Sequence, residues 1–240
     1  MFLNNKLTVV IPCYNEVDYI GKTLTSIYLQ NGVKGIKVIV CDNNSTDGTI
    51  EQITKYQQSF KDKLDIRIGK GGFVAEARNN GAKLVKTPYV LFLDADSVLT
   101  DKNQLLHSFR LITKYDLDLV TCKVKSISPS LRSKITFWVF NILNQLIKHQ
   151  TPFAVGTFFM TKLKKFEEFG GFDETLKHSE DFCLSKKYDP NKFEIVDYYV
   201  GQDDRRFKKM GYFGMVKLIV KSFINRNNLE YFRKDVGYWK

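Results

Sequence analysis

Long apolar runs, a leader-like N-terminus and paired cysteines are all missing from this chain of 240 residues. No stretch approaches the roughly 18 apolar residues of a spanning helix. The N-terminus has no basic region followed by an apolar run and a cleavage site, so no signal peptide is expected. The four cysteines are far apart and form no CxxC pair, which argues against a zinc site or a disulfide framework. These absences predict a cytoplasmic protein that is soluble or lies on a membrane surface.

Acidic residues are scarce at the C-terminal end. Residues 205–240 hold ten Lys/Arg and two Asp/Glu, so +8 of the net charge of +11 lies there, and residues 1–204 hold 27 basic against 24 acidic residues. Hydrophobic residues make up 43% of the chain, enough for a sizeable core. No repeat or low-complexity linker interrupts the chain. We therefore expect one domain over 1–210 and a basic tail over 211–240.

The first 122 residues alternate between short apolar runs and segments with helical periodicity. This alternation predicts a doubly wound, mostly parallel α/β sheet with helices on both faces. The expected strands are Leu7–Ile11, Lys37–Cys41, Asp65–Ile68, Tyr89–Leu93 and Leu117–Cys122, and the expected helices are 18–30, 47–56, 74–84 and 105–115. The rhythm changes over 123–210, where Leu131–Ile147 reads as a helix with a wide apolar face and Phe153–Met160 as a strand. We expect one domain with two functional halves, over 1–122 and 123–210.

Ligands of open α/β sheets lie beyond the carboxyl ends of the strands. Pro12-Cys-Tyr-Asn-Glu16 follows the first strand, where Pro12 is expected to stop the strand. Asp42 follows the second strand at its carboxyl end, where it can accept hydrogen bonds from a ribose or a base. Both segments are also compatible with ordinary turns and helix caps.

The third strand leads into Gly69-Lys-Gly71-Gly72. The spacing is not that of a dinucleotide fingerprint, because Val74 stands where the third glycine should fall. A glycine turn before a helix can still receive phosphate oxygens, and Arg78 in that helix can add a charged donor.

Asp94-Ala95-Asp96 follows a wholly apolar strand. Two carboxylates this close repel each other unless a cation or a proton lies between them. Carboxylate oxygens favour Mg²⁺ or Mn²⁺, which complete their shells with water and substrate phosphates. A solvated acidic loop is the alternative, and the position after a buried strand favours the metal.

The last acidic cluster is Gly171-Phe172-Asp-Glu174 followed by Glu180 and Asp181. Acidic residues in a first helical turn are favoured by the helix dipole, so a purely structural role is one interpretation. The other interpretation is a carboxylate beside the acceptor that acts as a general base.

Together these segments, with Ala77-Arg-Asn79, resemble the family 2 inverting glycosyltransferases with the GT-A fold over roughly residues 7–210. The resemblance implies that 1–122 is the nucleotide-sugar-binding half and 123–210 the acceptor half. It implies that Asp181 is the catalytic base and that Gly171, Phe172 and Glu180 shape the acceptor pocket. Asp96 would bind the divalent cation, and Asp94 would hold either the metal or the ribose. The predicted nucleotide-sugar contacts are Pro12, Tyr14, Glu16, Asp42, Gly71, Arg78, Asp94, Ala95, Asp96, Arg205 and Arg206.

The third metal ligand stays open at this stage. The last histidine, His178, comes before the late segment, which reads Gln202-Asp-Asp-Arg-Arg206. Asp203 or Asp204 can substitute as a ligand, or Arg205 and Arg206 can neutralise the diphosphate directly.

The tail also has two interpretations. Lys217, Lys221 and Asn225 form one polar stripe on an apolar helix, which suits an anionic membrane surface. The same pattern suits a helix that packs on the domain, and nucleic acid fits less well.

The resemblance implies a UDP- or GDP-linked sugar donor and a saccharide or lipid-linked acceptor. A polyprenyl-phosphate glycosyltransferase and a non-catalytic nucleotide-sugar-binding protein are the alternatives. A sugar nucleotidyltransferase is disfavoured, since its longer glycine-rich phosphate loop is missing from Pro12–Glu16.

Overall fold

The computed structural model describes residues 2–235, apart from the side chain of Arg206. Eight strands form one sheet in the order β3-β2-β1-β4-β7-β6-β8-β5. The strands are β1 (Leu7–Cys13), β2 (Ile36–Asp42), β3 (Leu64–Lys70), β4 (Tyr89–Phe92), β5 (Ser97–Leu99), β6 (Leu119–Ser126), β7 (Phe159–Lys162) and β8 (Phe193–Gln202).

Ten helices surround this sheet within the described residues. They are α1 (Ile20–Tyr28), α2 (Thr49–Ser59), α3 (Val74–Ala82), α4 (Gln104–Lys114), α5 (Leu131–Ile147), α6 (Leu163–Glu168), α7 (Glu180–Ser185), α8 (Arg205–Met210), α9 (Tyr212–Ile224) and α10 (Leu229–Arg233). One 3-10 turn, Pro190–Lys192, precedes β8.

The sheet is parallel from β3 to β4 and mixed beyond that strand. β7 lies antiparallel between β4 and β6, β8 runs parallel to β6, and β5 closes the edge antiparallel to β8. The predicted α/β class is therefore correct. The antiparallel strand joins the two predicted halves into one continuous sheet, with apolar cores on both faces.

Several elements differ from the sequence expectations. β1 continues through Pro12 to Cys13, because Pro12 needs no amide donor to stay in register with Cys41, and the Cys13 carbonyl accepts from the amide of Asn43 (2.9 Å). The expected strand Phe153–Met160 begins only at Phe159, because the preceding residues turn towards the carboxylates described below. The sequence patterns did not predict β5 or β8.

The described part of the tail packs on the domain through one face. Met215 and Leu218 of α9 are buried with Phe137 of α5, and Phe232 of α10 is fully buried against Phe182. Residues 236–240, the end of the predicted tail, lie outside the described residues. In residues 2–235 no helix combines the length and apolarity needed to span a bilayer.

Candidate active site

The loop after β1 is fastened to the loop after β2. The Ser45 hydroxyl accepts from the amide of Asn15 (2.8 Å), and the Asn15 side chain accepts from the amide of Thr46 (2.9 Å). Asn15 has φ of 52°, a conformation that Asn tolerates better than most residues. The loop presents Tyr14 to solvent with 58% exposure, while Pro12 and Glu16 are half-buried.

Asp42 is held by its own turn, and the glycine turn after β3 lies directly on it. Ser45 donates to the Asp42 carboxylate from its amide (2.9 Å) and its hydroxyl (2.5 Å). A Cβ on Gly71 would lie 2.2 Å from the Asp42 carbonyl oxygen. Only glycine lets the two strand ends approach this closely, and this places the predicted base-binding and phosphate-binding segments side by side.

Arg78 occupies the centre of the site and is 1% exposed. Its Nη1 donates to Glu180 Oε1 (2.5 Å), its Nη2 donates to Asp94 Oδ1 (2.6 Å), and its guanidinium lies 5.1 Å from the centre of the Phe172 ring. Burial works against the charged form, but Asp94 and Glu180 outweigh it, so the pKa of Arg78 lies above its ordinary value. One buried arginine thus joins the acidic motif after β4 to the acidic helix α7.

The turn at 171–174 carries Phe172, whose ring contacts Arg78, and Asn79 holds this turn in place. Asn79 accepts from the amide of Phe172 (3.0 Å) and donates to the Phe172 carbonyl (2.8 Å) and to Glu174 (2.8 Å). Gly171 has φ of +74°, and a Cβ there would lie 2.7 Å from Asn79. The Phe172 ring is 2% exposed and packs in the core. Phe172 therefore supports Arg78, and a direct contact with an acceptor stays a prediction.

Asp181 is the half-buried carboxylate of this cluster. Its Oδ2 accepts from the amide of Gly156 (2.7 Å) and its Oδ1 from the amide of Phe182 (2.7 Å). Burial and the negative charge of Glu180 raise the pKa of Asp181 to about 7, against the opposing effect of Arg78. Such a carboxyl is poised to exchange protons near neutral pH.

Gly156 is a site residue that the sequence interpretation missed. Besides holding Asp181, its backbone lies against the central ion pair, where an added Cβ would be 2.1 Å from Arg78 Nη2 and 3.2 Å from Asp94 Oδ1. Its only sequence signal is a glycine inside the apolar run 153–160, which marks a close approach of backbone to another group.

The second carboxylate of the motif, Asp96, faces a different arginine. Arg205 donates to Asp96 Oδ2 (2.8 Å) and to Glu16, and its guanidinium stacks 4.5 Å from the centre of the Tyr19 ring. Asp94 and Asp96 diverge because the Asp94 carbonyl accepts from the amide of Ser97 (3.1 Å) in a tight turn around Ala95. The two carboxylates that the sequence placed around one cation are thus each paired with an arginine.

Asp96 Oδ1 is buried and has no hydrogen-bond partner among the described residues. This oxygen fits a divalent cation that draws its other ligands from water and diphosphate. Within residues 2–235, no group of three His, Cys, Asp or Glu side chains forms a complete metal shell. A cation would therefore depend on the substrate for most of its ligands.

The candidates for a third ligand have other roles in the fold. Asp204 is fully buried, where it accepts from Ser133 (2.5 Å) and Tyr212 (3.2 Å) and pairs with Lys208 (2.7 Å). Asp203 accepts from the amide of Arg205 (2.8 Å). Asp204 thus joins α5, α8 and α9, which argues against its predicted use as a ligand. The side chain of Arg206 lies outside the described part of the chain.

The mixed α/β sheet carries its carboxylates at the strand ends, where open sheets of this class bind their ligands. The model of glycosyl transferase family 2 matches residues 8–170, and the chain belongs to this family. The fold is of the GT-A type, and the predicted family and fold class are both confirmed.

Two curated relatives act on poly(ribitol-phosphate), according to their names. The chain is 26% identical to the β-N-acetylglucosaminyltransferase TarS of Staphylococcus aureus, over 96% of this chain and 42% of the relative. It is 28% identical to a β-glucosyltransferase of Bacillus spizizenii, over 81% of this chain and 32% of the relative. The chain therefore spans less than half the length of either relative.

Two solved structures share the fold. The structure of S. aureus TarS 1–349 with UDP-GlcNAc has a TM-score of 0.64 at 24% identity, over 82% of this chain and 58% of that chain. The mannosyltransferase PcManGT from Pyrobaculum calidifontis, in complex with GDP-Man and Mn²⁺, has a TM-score of 0.69 at 20% identity, over 89% of this chain and 64% of that chain.

Proposed function

We propose that this chain transfers a sugar from a UDP- or GDP-linked donor to a hydroxyl of a saccharide or lipid-linked acceptor, with inversion of configuration. The observation that carries the proposal is Asp181, a half-buried carboxylate held by two backbone amides beside the Arg78 cluster. Membership of the family supports sugar transfer, and the names of the relatives support an acceptor of the saccharide type.

Asp181 acts as the general base in this proposal. The acceptor hydroxyl attacks the anomeric carbon opposite the nucleoside diphosphate, and its proton passes to an Asp181 carboxylate oxygen. A carboxylate with a pKa near 7 accepts that proton at neutral pH and releases it afterwards. With a single carboxylate acting on the sugar, no covalent intermediate is needed, so the product is inverted.

The donor lies across the ends of β1, β2, β3 and β4 in this proposal. Pro12, Tyr14 and Glu16 border the nucleotide, Asp42 binds the base, and the Gly71 turn receives phosphate oxygens. Support comes from the packing of Gly71 on the Asp42 backbone, which leaves these groups at one edge of the sheet. Arg78 is held in ion pairs and orients Asp94 and Glu180, so we assign it the role of a positioning residue.

Asp96 holds the divalent cation, Mg²⁺ or Mn²⁺, through its unpaired oxygen in this proposal. When bound, the cation would offset the charge that develops on the leaving diphosphate. Arg205 neutralises the same edge of the site from the protein side, and the Mn²⁺ complex of PcManGT is consistent with a cation in this fold.

A cytoplasmic location and contact of the tail with a membrane also stay proposals.

The alternative acceptor, a polyprenyl phosphate, is already an anion, so its transfer would need no general base. The two amide contacts to Asp181 and its raised pKa favour a hydroxyl acceptor instead.

The test compares Asp181→Asn and Asp96→Asn in donor binding and in transfer to ribitol-phosphate and lipid-linked acceptors. Asp181→Asn should lower kcat by about a thousandfold and leave donor affinity nearly unchanged, because it removes only the base. Asp96→Asn should lower both the rate of transfer and the Mn²⁺-dependent affinity for the donor. Asp197→Asn, an exposed substitution on β8, is the matched control.

Full transfer by Asp181→Asn would exclude the general base. Retention of configuration at the anomeric carbon, measured by NMR of the product, would exclude direct displacement. A protein that binds donors but transfers to none of the acceptors would support the non-catalytic alternative.

A further inference from the structure

Helix α5 turns a broad apolar face away from the domain. Its inner face packs through Phe137, which is 5% exposed. Seven large apolar residues are exposed, from 39% at Ile142 to 70% at Leu131 and Leu146. They are Leu131, Ile135, Trp138, Val139, Ile142, Leu143 and Leu146. These positions recur at helical spacing away from the packed side, so α5 presents an apolar stripe to solvent.

Helix α9, which packs beside α5 in the same small core, repeats this arrangement. Met215 and Leu218 point inward, whereas Phe213 (82% exposed), Val216, Val220 and Ile224 (70% exposed) form an outer stripe. Lys217 and Lys221 flank that stripe and are exposed. The outer faces of α5 and α9 together are called the α5–α9 surface below.

The two segments that carry this surface are basic, and the carboxylates at its border, Glu194 and Asp197, pair with Lys148 and Lys123. Residues 119–166 contain eight Lys/Arg and residues 205–229 contain seven, and neither segment contains an Asp or Glu. Some of these cations are paired, as Lys148 is with Glu194. The exposed residues Arg132, Lys134, Lys217 and Lys221 have no ion pair with any carboxylate of the described residues.

We propose that the α5–α9 surface binds an anionic lipid bilayer. Apolar side chains that enter the interface, a tryptophan among them, and lysines beside them form the combination that binds anionic membranes peripherally. A protein partner would have to be acidic to complement two basic segments that contain no Asp or Glu. A second copy of this chain would place positive charge against positive charge. The proposal extends the membrane contact from the tail to α5, which is the larger contributor of exposed apolar residues.

The chain connects this surface to the acceptor side of the site. From the end of α5 the backbone runs eight residues to Gly156, whose amide holds Asp181. From the end of α9 it runs into α10, where Phe232 packs on Phe182 next to Asp181. Bilayer contact would therefore bring lipid-linked hydroxyls to the end of the site that carries the base.

Vesicle binding of the full chain tests the proposal without any sugar transfer. The probes are vesicles of phosphatidylcholine alone and of phosphatidylcholine with phosphatidylglycerol. Since the chain has two tryptophans, Trp138 and Trp239, the Trp239→Phe variant makes Trp138 the sole reporter. We expect binding to the anionic vesicles only, with a blue shift of Trp138 fluorescence.

Two paired substitutions separate charge from apolar contact. Lys217→Glu with Lys221→Glu should weaken binding to anionic vesicles by roughly thirtyfold or more, since each basic residue near the surface contributes about a factor of five. Lys55→Glu with Lys61→Glu makes the same charge change on exposed residues elsewhere. Ile135→Ser with Phe213→Ser should remove the binding, and Phe2→Ser with Tyr115→Ser is its control.

Equal loss in the test and control lysine pairs, or equal binding to both kinds of vesicle, would overturn the proposal. Self-association without lipid that Ile135→Ser with Phe213→Ser abolishes would assign the surface to a second copy and would also overturn it. Sugar transfer to a soluble acceptor should be unchanged in all four variants, so failure of the lipid proposal leaves the proposed function untouched.

Discussion

The two arginines of the site hold the two aspartates of one motif in opposite ways. Arg78 is sealed beneath the surface between Asp94 and Glu180, with a side-chain exposure of 2%. Arg205 bridges Asp96 and Glu16 with a third of its side chain in solvent. Removing a fully buried arginine leaves its carboxylates without a partner at a large cost in stability. Arg205 borders solvent, although Asp96 is only 3% exposed, so another cation can reach Asp96 and replace it. We infer that the Arg78 pair is part of the scaffold and that the Arg205 pair gives way to ligands.

Arg78→Met should produce the largest effect, because it leaves Asp94 and Glu180 buried without a positive partner. We expect a loss of about 3–5 kcal/mol in the free energy of unfolding, measured by urea denaturation. Arg67→Met, which removes an exposed pair with Asp65, should leave stability nearly unchanged. A similar small loss in both variants would remove the distinction between scaffold and ligand-responsive arginines.

Gly156→Ala tests how tightly the buried pair is enclosed. The new methyl group would meet Arg78 Nη2 at 2.1 Å, so Arg78 or the backbone must shift. We expect a loss of about 1–3 kcal/mol in stability and a slower transfer, because the shift would displace the residue 156 amide that donates to Asp181. Gly214→Ala on α9, where the nearest atom is 4.0 Å away, should be neutral or stabilising. Normal stability and activity in Gly156→Ala would show that the enclosure yields at little cost.

Much of this fold is predictable from sequence, but these ion pairs are not. The bounds of α5, the strand end near Asp42 and the position of Asp94 just after β4 follow from periodicity and from turn residues, which act locally. The pairing of Arg78 with Glu180 joins residues 102 positions apart, and it depends on how β7 enters the sheet. The apolar pattern of α5 fixes a helix but leaves open which of its faces meets the domain.

Arg205→Met should have a moderate effect that concerns ligands and leaves the fold intact. Removing this charge leaves the Asp96 carboxylate open to a cation. The Mn²⁺ concentration for half-maximal donor binding should therefore fall about tenfold, measured by calorimetry. Stability should fall by about 1–2 kcal/mol, less than in Arg78→Met, because Asp96 is buried but Arg205 itself borders solvent. A rise in the required Mn²⁺ would mean that Arg205 supports the cation rather than competing with it.

The pH dependence of transfer should show the smallest change. A base works only when deprotonated, so kcat/KM should rise with pH and reach half its maximum near the raised pKa of Asp181, about 7. Glu180→Gln removes a negative charge that raises this pKa, and the acidic limb should move to lower pH. Glu168→Gln, on exposed α6, should leave the limb in place. If the acidic limb stays in place in Glu180→Gln, the limb reports the titration of a group other than Asp181.

The position of β7 between β4 and β6 has a consequence for how the chain is made. β4 emerges from the ribosome about seventy residues before β7, its antiparallel neighbour, so this edge of β4 stays unpaired until β7 has been synthesised. β6 joins the sheet only through β7 and β8, and β8 ends at Gln202. Pairings between such distant segments slow folding and expose strand edges meanwhile. The nascent chain should therefore need protection by chaperones until both halves of the sheet have been synthesised.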